Sequence, residues 1–272
     1  MTEWDGRGLP PVARARVDRY AASGLKTSLL SVPAAVGIET VGLSPVGEVM
    51  GCIVMQIYPA IALGTATMMA TNTGLTMEPF AAAMRHGYNM ALDRLRQEAV
   101  AIGADGVVGV TFSISHLGNG QREFVALGTA VRAETKQRPK RLFTTELAGQ
   151  DVAKLMLAGW APASLMIALE ARATYNYNAA YQLTAWAGNV EVDAYTQLVS
   201  KVRAGARGQF RRTLKQTGAD GAIVSAMSLN MWPLGESAVA AQAVMFGTAI
   251  AKFHRGKAAP HSTLTILPVR QR

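Results

Sequence analysis

Five side chains in the 272-residue sequence are of the kinds that hold soft or borderline metal ions: Cys52, His86, His116, His254 and His261. A closed zinc site needs four thiolate or imidazole ligands. Sequences that build one usually place them in pairs a few residues apart, so that one turn aims both at the ion. No such pair occurs here; His254 and His261 are seven apart, with Gly256 and Pro260 between them. His86 falls in a helical stretch as a partly exposed residue, and Cys52 falls in an apolar strand as a small buried hydrophobe. Cys52 and His86 therefore stand as the weak metal candidates, and the metal itself is unknown.

Catalytic chemistry has even fewer carriers. The chain has no P-loop, no Gly-x-Ser-x-Gly elbow, no His-Glu-x-x-His and no close carboxylate pair with distinct acid and base roles. The expectation is a non-enzyme. A third kind of chemistry, anion binding, has a better carrier in KVRAGARGQFRRTLK. There Arg203, Arg207, Arg211 and Lys215 recur every four residues and share a helix face beside Val202, Ala206, Phe210 and Leu214. Such a face can hold a phosphate backbone or an anionic membrane. No aromatic residues interleave it for base stacking, so a solvated helix surface is the simpler reading.

Charge follows the same division along the chain. Residues 1–134 hold 10 Lys/Arg and 11 Asp/Glu, while residues 135–272 hold 17 and 7, so the net +9 lies in the second half. Half the chain is apolar, enough for a sizeable core. The single cysteine excludes an internal disulfide framework and, with no leader-like start, places the protein in the cytoplasm as an expectation.

The elements that must position these residues are written twice. GLSPVGEVMGCIVMQIY from Gly42 and GWAPASLMIALEARATY from Gly159 have matching Gly, Pro and Tyr at an offset of 117. Gly-Ala-Asp-Gly at Gly103 and Gly218 gives 115, and Gly-Thr-Ala at Gly128 and Gly247 gives 119. Three anchors agreeing within a few residues indicate an internal duplication. The uncharged run from Val49 to Met77 is long enough for a membrane span. Its second copy, however, carries Glu170 and Arg172, so both are read as soluble strands.

Apolar positions Ala91, Leu95, Ala99 and Ile102 precede the first Gly-Ala-Asp-Gly, and Val202, Ala206, Phe210 and Leu214 precede the second. Each set is a helical stripe. Gly103 and Gly218 then cap helices in the left-handed conformation, and Asp105 and Asp220 turn the chain into VVGVTFSI and AIVSAMSL. The first strand returns through LGNG as a hairpin. The fold expected is α+β: two tandem β-α-β-β repeats, each a small sheet packed on one long helix.

EVMGCIVMQI, the helix EPFAAAMRHGYNMALDRLRQEA, AIGADGVVGVTFSI and FVALGTAV together resemble the YbjQ-like family, named for heavy-metal binding. The resemblance covers most of residues 28–133 and, more weakly, 142–252. It implies a ring-shaped homo-oligomer, in which two copies per chain would halve the number of chains. A heavy metal is suggested by the family name only.

The division expected is an N-terminal extension at 1–26, a first repeat at 27–133, a linker at 134–141, a second repeat at 142–253 and a tail at 254–272. The function expected is a non-catalytic, self-assembling structural or binding module, a component of a larger assembly. The alternatives are a metal or small-ligand binder, and an accessory factor for nucleic acid or anionic membrane. Tyr58, Ile61 and Met69 are the expected oligomer contact, because their stretch is too apolar for an open loop and too broken by Pro59, Gly64 and Asn72 for a span.

Overall fold

A computed structural model describes residues 8–24, 27–57, 75–135, 138–175, 191–234 and 238–252. Tyr58, Ile61, Met69, His254 and His261 lie outside the described residues. Proline and glycine punctuate the first helices. Helix α1 (Pro11–Ser23) starts on proline, which needs no N–H partner, and stops at Gly24 with φ +63°. Helix α2 (Val32–Thr40) follows, with a proline in its first turn.

Strand β1 (Leu43–Gln56) pairs antiparallel with β4 (Gln121–Ala133), which pairs antiparallel with β3 (Gly106–Gly118). The β3–β4 turn places Gly118, Asn119 and Gly120 all at positive φ, which explains the LGNG spelling. Helix α3 (Glu78–Ala101) lies on this sheet through a buried face that includes Met84, Ala91, Leu95 and Ala99. Its C-terminus turns at Gly103, φ +73°.

The second half has a similar order. Helix α4 (Gly149–Leu157) leads into β6 (Trp160–Tyr175); then come α5 (Asp193–Thr217), β7 (Gly221–Leu234) and β8 (Ala238–Lys252). Strand β8 pairs antiparallel with both β6 and β7, and α5 ends at Gly218, φ +69°. Val202, Ala206 and Phe210 are buried beneath α5, against Ala241, Ala243 and Met166 among others.

Each sheet departs from the expected three strands by taking a fourth from the other half. Strand β2 (Leu75–Thr76), which leads into α3, pairs with β6 at Ala173 and Arg172. Strand β5 (Phe143–Thr144), which leads toward α4, pairs in parallel with β3 at Gly106 and Val107. The sheet orders are β1-β4-β3-β5 and β2-β6-β8-β7. Helices α2 and α4, also beyond the expected β-α-β-β unit, pack together across this exchange. A Cβ on Gly149 would stand 2.5 Å from the Ala34 carbonyl oxygen. Two-residue strands carry no hydrophobic period, and the short helices announce themselves weakly beside the long ones.

The largest core is shared. Phe80, Met84, Tyr88 and Leu95 of α3 belong to the same buried cluster as Leu165, Leu169, Ala171 and Val244 of the second sheet. Tyr88 meets Phe112, Phe124 and Phe246 edge-on, at centroid distances of 5.3, 5.4 and 5.6 Å. Helix α3 is thus packed between the two sheets, and the second sheet lies between α3 and α5. Among the described residues, no helix is long and apolar enough to cross a membrane.

Candidate functional site

The two Gly-Ala-Asp-Gly motifs organise corresponding joints. Asp105 is buried and accepts the Ala133 N–H at 2.8 Å, while Asp220 accepts the Lys252 N–H at 2.8 Å. Each carboxylate therefore ties the end of one strand of its hairpin to the start of the other. The Asp105 N–H donates to Val131 O and the Asp220 N–H to Ile250 O, which completes both turns. Asp105 has a further partner in Arg138, whose Nε lies 2.8 Å from Oδ1. Arg132 and Arg138 both donate to Gly103 O, at 2.9 and 2.8 Å, and so complement the negative C-terminal end of α3. These groups hold the fold; none is left aimed at a ligand.

Cys52 is half-buried on the face of β1 turned away from α3, and its thiol donates to Glu123 Oε1 at 3.2 Å. Burial, assisted by the neighbouring Glu123 carboxylate, pushes the thiol up to about 11. A thiol that stays protonated at neutral pH is a poor nucleophile and a poor metal ligand. Alkylation of Cys52 at pH 7 is expected to run roughly 100-fold slower than that of an unperturbed cysteine and to climb until pH passes about 11. Maleimide kinetics on the intact protein measure it, and a rate equal to that of free cysteine contradicts the packing described.

His86 is exposed on α3. Among the described residues no group of three or more His, Cys, Asp or Glu is arranged to hold a metal ion. The residues described do not fit a heavy-metal centre, because Cys52 and Glu123 supply only two donors, one of them a protonated thiol. The cleft between α1 and the end of α3, ≈ 430 Å³ in volume, is lined by Tyr20, Gly24, Ile102, Gly103 and Arg132 among others. Its charged lining group, Arg132, is occupied by the carbonyls of Ile102 and Gly103. It contains no acid–base pair.

Arg203, Arg207, Arg211 and Lys215 all lie exposed along α5, beside its buried stripe of Val202, Ala206 and Phe210. Sequence reasoning did not find the side chains that bind the outer edge of β1. Glu98 of α3 accepts the Met50 N–H at 3.0 Å, and Arg94 donates to the Cys52 carbonyl. These bonds satisfy backbone groups of a strand edge. An acid and a base four apart near the end of a long helix are the only signal the sequence offers for them.

A small antiparallel sheet on one long helix, a hairpin closed by an aspartate, and glycine-capped helices define the class. The family model described as "Putative heavy-metal-binding" matches residues 38–134. The chain belongs to this YbjQ-like family, which includes the proteins named UPF0145. A UPF0145 protein of Thermosipho africanus is 36% identical over 87 residues, covering 31% of this chain and 81% of that protein. One from Archaeoglobus fulgidus is 33% identical over 96 residues, covering 35% and 89%. A Mycobacterium tuberculosis protein named "Encapsulin nanocompartment protein" is 33% identical over 166 residues, a longer stretch than the family model covers. That match takes in 58% of this chain and 60% of the mycobacterial protein, so this chain spans about three fifths of that relative.

Proposed function

We propose that the chain is a non-catalytic, self-assembling module, built from two tandem copies of the family unit, that closes into a ring and serves as a component of a larger protein assembly. The observation that carries this reading is the reciprocal exchange of β2 and β5. Each half completes its neighbour's sheet with a strand of its own, a head-to-tail contact that can continue from chain to chain. Corresponding anchors at Gly103 and Gly218, and at Asp105 and Asp220, support the tandem reading. The larger assembly rests on the name of the mycobacterial relative.

Native mass spectrometry and particle imaging test the ring. A closed oligomer of one stoichiometry is expected, and a protein that stays a single chain at micromolar concentration overturns the proposal. A metal-binding role is favoured by the family description and opposed by the donor set. Titration with Zn²⁺ under the same native conditions decides it, because a stoichiometric mass increase would reinstate the metal reading.

A further inference from the structure

Among the described residues, the contact between the two halves leaves a matching half-contact open in each half. Within the chain, the segment ending in α4 lies along the free edge of β3. Phe143 and Thr145 N–H groups donate to Asp105 and Val107 carbonyls, and Gly109 and Val110 N–H groups donate to Leu147 and Thr145. The covered residues Val107, Val108 and Val110 are at most 2% exposed. At the offset of 115 their counterparts are Ala222, Ile223 and Ser225 of β7, the outer strand of its sheet. Among the described residues nothing covers that edge, Ser225 is exposed and Val224 is 49% exposed.

The segment that would cover it is also present. It is held on one side, where the Leu29 N–H donates to Thr129 Oγ1 and Leu30 packs against the cluster of Ile38 and Val108, while Ser28 is exposed and Leu29 is 52% exposed. Thr27 to Leu30 precede α2 as Thr144 to Leu147 precede α4, at the offset of 117. Ser31 and Ala148, the two N-caps, have nearly equal backbone angles (φ −64°, ψ 158° and φ −63°, ψ 154°). Gly149 and Ala153 of α4 are buried in the α2–α4 contact; their counterparts Val32 and Val36 are 78% and 55% exposed. Exposed β-branched residues at counterparts of buried contact positions mark an unfilled interface.

A third surface agrees. Helix α3 covers the outer face of the second sheet, and Arg96 reaches across to donate to Thr144 Oγ1 at 3.1 Å. The counterpart of Arg96 is Arg211, and that of Thr144 is Thr27. On the outer face of the first sheet no described helix lies over Cys52, Val54, Glu123 and Leu127, and Val54 is 51% exposed. It carries the Glu123 carboxylate where the second sheet has Gln242. The unassigned basic stripe thus has a complementary surface at the other end of its own chain.

Resting on the ring reading above, we infer that a second copy of this chain docks its first half onto the second half of the first copy. Its Thr27 to Leu30 segment adds to the β7 edge, its Val32 and Val36 pack on α4, and its Glu123-bearing sheet lies on Arg207 and Arg211 of α5. The basic stripe is then an interchain contact, closed to nucleic acid and lipid.

Two variants of the full chain test the joint. With Cys52→Ser as background, Thr27→Cys combined with Ala222→Cys places thiols at the counterparts of Thr144 and Val107, which are register partners. Neighbouring strands lie about 4.8 Å apart, within disulfide reach. Diamide oxidation should give a ladder of interchain disulfides on a non-reducing gel, ending at the native stoichiometry, whereas either cysteine alone should give no ladder. Arg207→Glu with Arg211→Glu should keep the wild-type circular dichroism and lower the mass by light scattering to that of one chain. An assembled wild type with no ladder, or an assembled charge-reversed variant, overturns the joint and leaves the ring standing. A single-chain wild type overturns both. Binding of the assembled wild type to phosphatidylglycerol vesicles or single-stranded DNA, lost on charge reversal, overturns the joint by showing that α5 stays open.

Discussion

Replacing Arg16 with methionine is expected to lower the stability of the protein by about 3 kcal/mol, because it leaves a carboxylate buried without its counter-ion. Glu98 is fully buried. Its oxygens accept from Arg16 Nε and Nη2, each at 2.6 Å, and Oε2 also accepts the Met50 N–H. The bidentate bond to Glu98 raises the Arg16 guanidinium above its ordinary value. One pair thus joins three elements: α1, α3 and the edge of β1. Methionine keeps much of the apolar stem, so the loss reports the missing charge rather than missing packing. The control is Glu98→Gln in the same background, which keeps an acceptor for Met50 and removes the unpaired charge. The double variant should be more stable than Arg16→Met alone, a coupling that urea denaturation reads directly. Equal stability of wild type and Arg16→Met would mean that α1 does not dock as described.

The long elements were legible because their residues repeat a signal many times. Ala91, Leu95 and Ala99, and Val202, Ala206 and Phe210, are spaced for one helix face and are buried on one. Gly103 and Gly218 mark the helix ends because a left-handed residue favours glycine. The exchange was not legible, since Leu75–Thr76 and Phe143–Thr144 are too short to show any period and their partners lie in the other half. Cys52 was expected to be buried and is only half-buried, because it lies on the face of β1 away from α3. Nothing local in the sequence marks Glu98 as buried, since its partner Arg16 is 82 residues earlier. The basic stripe was visible by spacing, but its complement is not a local feature. It emerges only once both sheets are placed and no described helix is seen over Cys52, Val54 and Glu123 on the outer face of the first.

Gly51→Val should be the most damaging single change within the first sheet, with an expected loss of about 3 kcal/mol from overpacking. A Cβ at Gly51 would stand 1.8 Å from the Ala91 carbonyl oxygen and 2.5 Å from the Leu95 nitrogen. Both atoms belong to the backbone of α3, so no side chain can rotate away and the helix itself must lift from β1. Lifting it would stretch the Met50–Glu98 bond on one side of the contact and loosen the Tyr88 ring cluster on the other. The second half meets the same demand from the helix side. Position 168, the counterpart of Gly51, is alanine, and Gly205 of α5 makes the close approach, where a Cβ would lie 2.6 Å from Glu170 Cγ. That neighbour is a side chain, which can shift. Gly205→Ala is therefore expected to cost clearly less than Gly51→Ala. The order of the two denaturation midpoints, with circular dichroism confirming that both variants fold, is the measurement. A Gly51→Ala protein as stable as Gly205→Ala would show that α3 does not rest directly on β1.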